Sequence, residues 1–200
     1  MAAPALPGAS FAGRSLVLKA VPTGEVWRRM YETRFRDPLG WGPGHSRFSD
    51  PTGTAFGLVY LGSSAKVAFV ETLLRDRADG RGADCVVELA EIEKRTLAKI
   101  QIAQDLRLVD LTGDGPLRMG VPSDVAGASD QTLAQAWSAA FYGHEDLPDG
   151  VYYPSRLNEE RCIALYDRAI GKLQATATPK LMECREELAA ILEDLDISIV

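Results

Sequence analysis

With 200 residues, the chain has the length of one domain, large enough to bury about 70% of its extended surface without disulfide or metal staples. Its hydrophobic share of 46% and charged share of 25% are ordinary for a soluble globular protein. A formal charge of −6 excludes the basic footprint that phosphate neutralisation needs, so direct nucleic-acid binding is not expected.

Residues 1–13 are rich in Ala, Pro and Gly and are expected to form a flexible arm. They lack the basic and continuous apolar regions of a secretory signal. In "VWRRMY" (26–31) Arg28 alternates with Trp27. Residues 37–57 hold three prolines and five glycines and must form a long loop, a feature that is often functional in a compact domain. "LVYLG" (58–62) reads as a buried strand and "SSAKVAFVETLLRDR" (63–77) as the helix that follows it. "DCVVELAEI" (84–92), "LRLVDL" (106–111), "GVYYPS" (150–155) and "RCIALYD" (161–167) read as further strands. "SDQTLAQAWSAAFYG" (129–143) reads as a helix capped by Ser129 or Asp130 and stopped by Gly143, with Leu133, Ala136, Trp137 and Ala140 facing inward. In "TPKLMECREELAAILEDL" (178–195) a helix is expected to start with Pro179 at its first position after a Thr178 cap. Its stripe of Leu181, Leu188, Ile191, Leu192 and Leu195 either packs back on the core or forms an oligomer contact. No apolar run reaches the ~18 residues of a membrane span. Strands and helices do not alternate regularly, which favours an α+β domain over a doubly wound parallel sheet.

Several chemistries have no sequence support. There is no GxxxxGK[ST] or GxGxxG loop for phosphates, no GxSxG elbow and no HExxH pair. Three cysteines without CxxC spacing argue against a disulfide framework or zinc site and fit a reducing cytoplasm. The two histidines, His45 and His144, read as loop and surface residues, and no metal is expected.

One carboxylate stands out. At about 100° per residue, Glu71 falls within about 40° of Val67 and about 60° of Leu74, on the apolar face of its helix. A carboxylate there costs free energy unless it is paired. Arg28, Arg47, Tyr60 and Ser155 are further polar groups beside the expected core. Arginine forks hold phosphates, a tyrosine face stacks on a flat ring, and a desolvated carboxylate stabilises an oxocarbenium charge. Structural readings compete with each. Glu71 and Arg75 could form an i,i+4 surface pair, Arg28 could be a solvated strand residue, and Arg47 a loop anchor. Tyr60 could be core and Ser155 a turn residue. Composition and periodicity alone leave the function undecided.

In order and context, "VWRRMY", "SRFSDP", "GLVYLGSSAKVAFVETLL", "LRLVDL", "SDQTLAQAW" and "DGVYYPSRLNEERCIALYD" resemble the RES domain family, named for its Arg, Glu and Ser. The resemblance covers roughly residues 25–168. It implies an ADP-ribosyltransferase-like fold, with small β-sheets around a nicotinamide-nucleotide cleft and flanking helices. On that basis residues 14–175 would form the NAD-binding domain and 176–200 a helical extension beyond its usual end. Family membership implies a cytoplasmic toxin paired with an Xre-type antitoxin, degrading NAD as its substrate by hydrolysis or phosphorolysis of the nicotinamide–ribose bond. Alternatives are a protein ADP-ribosyltransferase using NAD and a domain that binds a nucleotide or partner without turnover. Carried over by position, Glu71 would be the catalytic carboxylate, with Arg28 or Arg47 available to partner it. Arg28 would also bind the pyrophosphate or adjacent ribose, Arg47 would close the cleft, Tyr60 would pack beside the nicotinamide, and Ser155 would stand at the cleft wall. Ser129 is a second polar candidate, ahead of a helix that starts near the pocket in this fold.

Overall fold

A computed structural model describes residues 5–42, 44–75 and 85–200. Strands β1 (Leu18–Val21) and β2 (Val26–Glu32) precede the long loop. Strand β3 (Leu58–Gly62) then runs into helix α1 (Ala65–Phe69), which widens into a π-helical turn over Val70–Leu74. Next come β4 (Val86–Val87), α2 (Leu89–Glu93), β5 (Arg95–Ile102) and β6 (Leu106–Asp110). The short helices α3 (Gly115–Met119) and α4 (Asp124–Gly127) lead to α5 (Thr132–Tyr142), β7 (Gly150–Pro154), β8 (Arg161–Tyr166) and β9 (Leu173–Ala177). Helix α6 (Arg185–Asp194) and β10 (Ser198–Ile199) follow.

Eight strands form one sheet in the order β1-β6-β7-β8-β3-β2-β5-β9. The small sheets that the family resemblance implies are its two halves. Strand β2 pairs with β5 at seven register positions and β3 with β8 at five, but β2 and β3 share a single pair, Arg28 with Gly62. The sheet is almost severed there, and the cleft opens at that joint.

Packing explains the sequence pattern. One core cluster, including Trp27, Leu61, Ile100, Leu108, Ile163 and Leu165, draws side chains from both halves of the curled sheet. On the opposite face, α5 covers one half through Trp137 and Phe141, which pack with Phe48, Tyr153 and Tyr166. Helices α1 and α6 cover the other, where Phe69, Leu188 and Ile191 meet Met30 and Leu97. With both faces buried, strands such as "RCIALYD" read as apolar runs rather than as alternation.

Several expected elements differ. Of residues 84–92 only Val86 and Val87 form a strand, paired parallel with β10, and Leu89–Glu93 is helical. Leu, Ala and Glu are good helix formers, and Ile92 finds a buried site on that helix. Pro179 does not start the last helix: its carbonyl accepts the Leu97 N–H at 3.0 Å and Lys180 bridges to Thr96, holding the segment extended along β5. A 3-10 turn over Leu181–Glu183 precedes α6, whose Leu188 and Ile191 pack back on the core. Helix α5 begins at Thr132, where Asp130 accepts the Thr132 N–H at 2.9 Å, and Ser129 lies outside it. Phe11, in the segment expected as a flexible arm, is 4% exposed and packs edge-on against Trp137, whose indole N–H donates to the Ala5 carbonyl at 3.1 Å. Residues 1–4 of that arm, 76–77 of the expected first helix and 84 of the expected strand lie outside the described residues.

Gly62 positions the site. A Cβ there would stand 2.5 Å from Val67 Cγ1 and 3.0 Å from the Ala68 nitrogen, so only glycine lets α1 fold back tightly over β3. Ser64 caps α1, accepting the Val67 N–H at 3.1 Å while donating to Glu160 at 2.5 Å. Gly62→Ala is expected to destabilise the protein by about 1–3 kcal/mol through overpacking. Gly127→Ala, with nothing within 4 Å of the added carbon, should stay within about 0.5 kcal/mol of wild type in the same urea titration.

Candidate active site

The π turn sets the direction of the central carboxylate. Val70, Leu73 and Leu74 pack into the core under α6, while Glu71 lines a cavity of about 230 Å³ with Val67 and Ala68. A turn with i→i+5 bonding departs from the 100° rule, so Leu74 leaves the face that Glu71 occupies. Glu71 takes a 2.6 Å hydrogen bond from the Ser155 hydroxyl, 84 residues away, rather than serving as a surface partner for Arg75. Ser155 is 2% exposed. Its oxygen accepts the Leu157 N–H at 3.2 Å and its backbone N–H donates to the Glu160 carbonyl at 2.7 Å, which leaves the hydroxyl proton for Glu71.

The arginines are placed differently from one another. Arg28 projects from β2 into the cavity that holds Glu71, with Nη2 2.9 Å from Glu187 on α6. Its Nη1 is buried without a hydrogen-bond partner among the described residues. Arg47 is buried, lines neither of the cavities described here, and donates to the Ala128 carbonyl at 2.6 Å. It therefore anchors its loop against the segment before α5 rather than closing the cleft. Burial lowers its pKa; the charges of Arg75 and Arg156 push the same way, against Tyr153 and Glu71. Arg47 thus stands near enough to Glu71 for the two charges to interact. Ser129 is exposed and lines neither cavity.

Tyr60 ties the long loop to β3. Its hydroxyl oxygen accepts the Ser46 O–H at 2.7 Å and the Phe48 N–H at 3.0 Å, and its ring lines both the Glu71 cavity and a larger one of about 680 Å³. Burial raises its pKa and these two bonds oppose the rise. The larger cavity is walled by aromatic rings, among them Tyr31, Phe35, Trp41 and Phe56. Trp41 packs on Gly57 so closely that a Cβ there would stand 1.8 Å from a ring carbon. Arg29, which the sequence did not single out, borders both cavities and holds the loop by donating to the carbonyls of Pro38 at 2.5 Å and Gly40 at 2.8 Å. Its signal was the strand alternation, which turns it to the opposite face from Arg28. Arg75 also lines the smaller cavity, as does Cys162, whose thiol is pushed well up by burial and then by the Glu71 charge. A protonated thiol is no nucleophile.

Asp50 closes the loop. Its carboxylate accepts from the Thr52 N–H and hydroxyl and the Thr54 and Ala55 N–H groups, at 2.5 to 3.0 Å. Burial would raise its pKa, but these bonds outweigh it and hold the group down at about 2. Among the described residues, no group of three or more His, Cys, Asp or Glu could hold a metal, and no helix is long and apolar enough to cross a membrane.

Residues 20–187 match the RES domain. The chain belongs to the RES domain family. A relative in Sinorhizobium fredii (strain NBRC 101917 / NGR234), named "Probable toxin y4kH", is 41% identical over 127 residues, 64% of this chain and all of that protein. The backbone is similar to a chain of the crystal structure of the M. tuberculosis MbcT–MbcA toxin–antitoxin complex, with a TM-score of 0.59 and 22% identity. That match spans 85% of this chain and 92% of the other, and shows the α+β, ADP-ribosyltransferase-like fold. The family's three namesake residue types thus meet around one small cavity, with Arg28 on its wall and Ser155 bonded to Glu71.

The depressed Asp50 carboxyl gives this RES domain a pH signature. A group held below its unfolded value stabilises the native state above that value, near pH 4, and the contribution fades as pH falls toward 2. In urea titrations the stability gap between wild type and Asp50→Asn should be constant above about pH 5 and narrow below pH 4.

Proposed function

We propose that this RES domain is the toxin of a toxin–antitoxin pair and that it breaks the nicotinamide–ribose bond of NAD. The observation that carries the reading is the Glu71–Ser155 bond of 2.6 Å, which holds a half-buried carboxylate in a cavity bordered by Arg28, Arg75 and Tyr60. A domain without catalytic demand has no reason to keep an inward carboxylate, whose burial costs free energy. The toxin part of the reading is supported by the name of the Sinorhizobium relative and by the fold shared with a toxin–antitoxin complex. That complex also supports an antitoxin partner here, for which the family suggests an Xre-type protein. Three free cysteines fit action in a reducing cytoplasm.

In the reaction, the bond between ribose C1 and the nicotinamide nitrogen breaks, and its electron pair neutralises the pyridinium. Positive charge develops on the ribose, and the Glu71 carboxylate, oriented by Ser155, stabilises it. Water or phosphate then forms a new C1–O bond and gives up a proton to solvent. Arg28 holds the diphosphate and Tyr60 packs beside the leaving ring, while Arg47 acts through its field alone.

The test is nicotinamide release from NAD by the purified chain, with and without phosphate. Glu71→Gln should lower kcat by about 100-fold or more, the scale of a lost electrostatic contact to developing charge. Ser155→Ala should lower it by about tenfold, through loss of one charge-assisted hydrogen bond. Intact NAD with wild type, or undiminished release by Glu71→Gln, overturns the reading. Release that requires an added protein acceptor points instead to ADP-ribosylation.

A further inference from the structure

We infer that Glu187, on the C-terminal helix, is a positioning residue that aims the Arg28 guanidinium at an anionic group of the ligand; this rests on the reading of Arg28 as a diphosphate contact. Three observations meet here. The Glu187 carboxylate holds Nη2 of Arg28 at 2.9 Å, while Nη1 is buried with no hydrogen-bond partner among the described residues, and the arginine lines the cavity that contains Glu71. A guanidinium is a planar fork, so fixing one end fixes the direction of the other. An orphaned buried N–H of a cation is costly, and an anion in the cavity is the group that would relieve it.

Helix α6 is built to keep this carboxylate in place. Leu188 and Ile191 are buried against the core beneath α1. At the far end of the helix Asp194 pairs with Lys66 of α1 at 2.6 Å, and Lys66 also stands 3.9 Å from Glu160. The helix is therefore tied both to the cleft strand through Arg28 and to the helix that leads to Glu71. In this chain the C-terminal segment belongs to the site and is not an appendage.

The experiment uses the full chain and inorganic pyrophosphate as the probe, with binding measured by calorimetry and folding by thermal melting. Glu187→Ala should weaken pyrophosphate binding by about tenfold, the scale of a charge-assisted hydrogen bond. Glu187→Gln, which keeps an acceptor, should weaken it less, and Glu186→Ala, on the exposed face of the same helix, should leave it unchanged. In an Arg28→Ala background, Glu187→Ala should have no further effect on affinity. A merely structural role would shift melting without this coupling. Unchanged or tighter binding in Glu187→Ala, additive effects in the double variant, or no pyrophosphate binding by wild type overturns the inference. NAD turnover, read separately, keeps the two proposals apart. Pyrophosphate binding that depends on Glu187 without NAD cleavage would sink the enzyme reading alone, whereas NAD cleavage with an unchanged KM in Glu187→Ala would sink the positioning role alone.

Discussion

The two halves of the sheet meet at one backbone pair, Arg28 with Gly62, and the geometry of the cleft depends on it. A full ladder between β2 and β3 would close the sheet and leave no room for a ligand. The shared core of Trp27, Leu61, Ile100 and Ile163, together with α1, which touches both β2 and β3, holds the halves together on either face. One pair keeps the halves in register while the strands part on either side. Gly62 serves this joint twice: it pairs with Arg28, and its missing Cβ lets α1 return over β3 within van der Waals contact. The carboxylate at the end of that helix and the arginine across the joint are thereby brought into one small cavity.

Burying charge beside an apolar core is costly, and the protein answers with hydrogen bonds and an opposing field. Glu71 is met by a serine whose other bonds already direct its proton. Arg47 and Arg75 stand close enough for their charges to oppose one another and to be offset by Glu71. In a partly dry site the charge of a carboxylate acts over short distance with little screening. Two neighbouring groups are pushed toward their neutral forms. Cys162 and Tyr153, both buried beside Glu71, are held in their neutral forms by desolvation.

The glycine-rich loop is ordered by side chains rather than by secondary structure. Tyr60 ties residues 46–48 to β3, Arg29 grips the carbonyls of Pro38 and Gly40, and Asp50 gathers four donors into a tight turn. These anchors supply the hydrogen bonds that a strand or helix would otherwise provide. Arg47, expected at the cleft mouth, belongs to this anchoring set through Ala128.

Much of this could be read from the chain alone. Continuous apolar runs mark β3, β7 and β8, because strands buried on both faces need no alternation. Glu71 declared itself as a charge on an apolar helical face, and the family motifs pointed to its companions. Strand β5 was hidden because Lys99 and Gln101 interrupt its apolar residues, and the extended segment at Pro179 because its hydrogen bonds go to β5 rather than to its neighbours. Local sequence determined which segments are buried and which residue types the site contains, since burial and capping depend on neighbours a few positions apart. Only the tertiary structure decided that Ser155 rather than an arginine bonds Glu71, that Arg47 anchors a loop, and that Glu187 holds Arg28. Those partners lie 84, 81 and 159 residues apart, and their meeting is set by where the sheet halves join and how α6 packs, which no local pattern encodes.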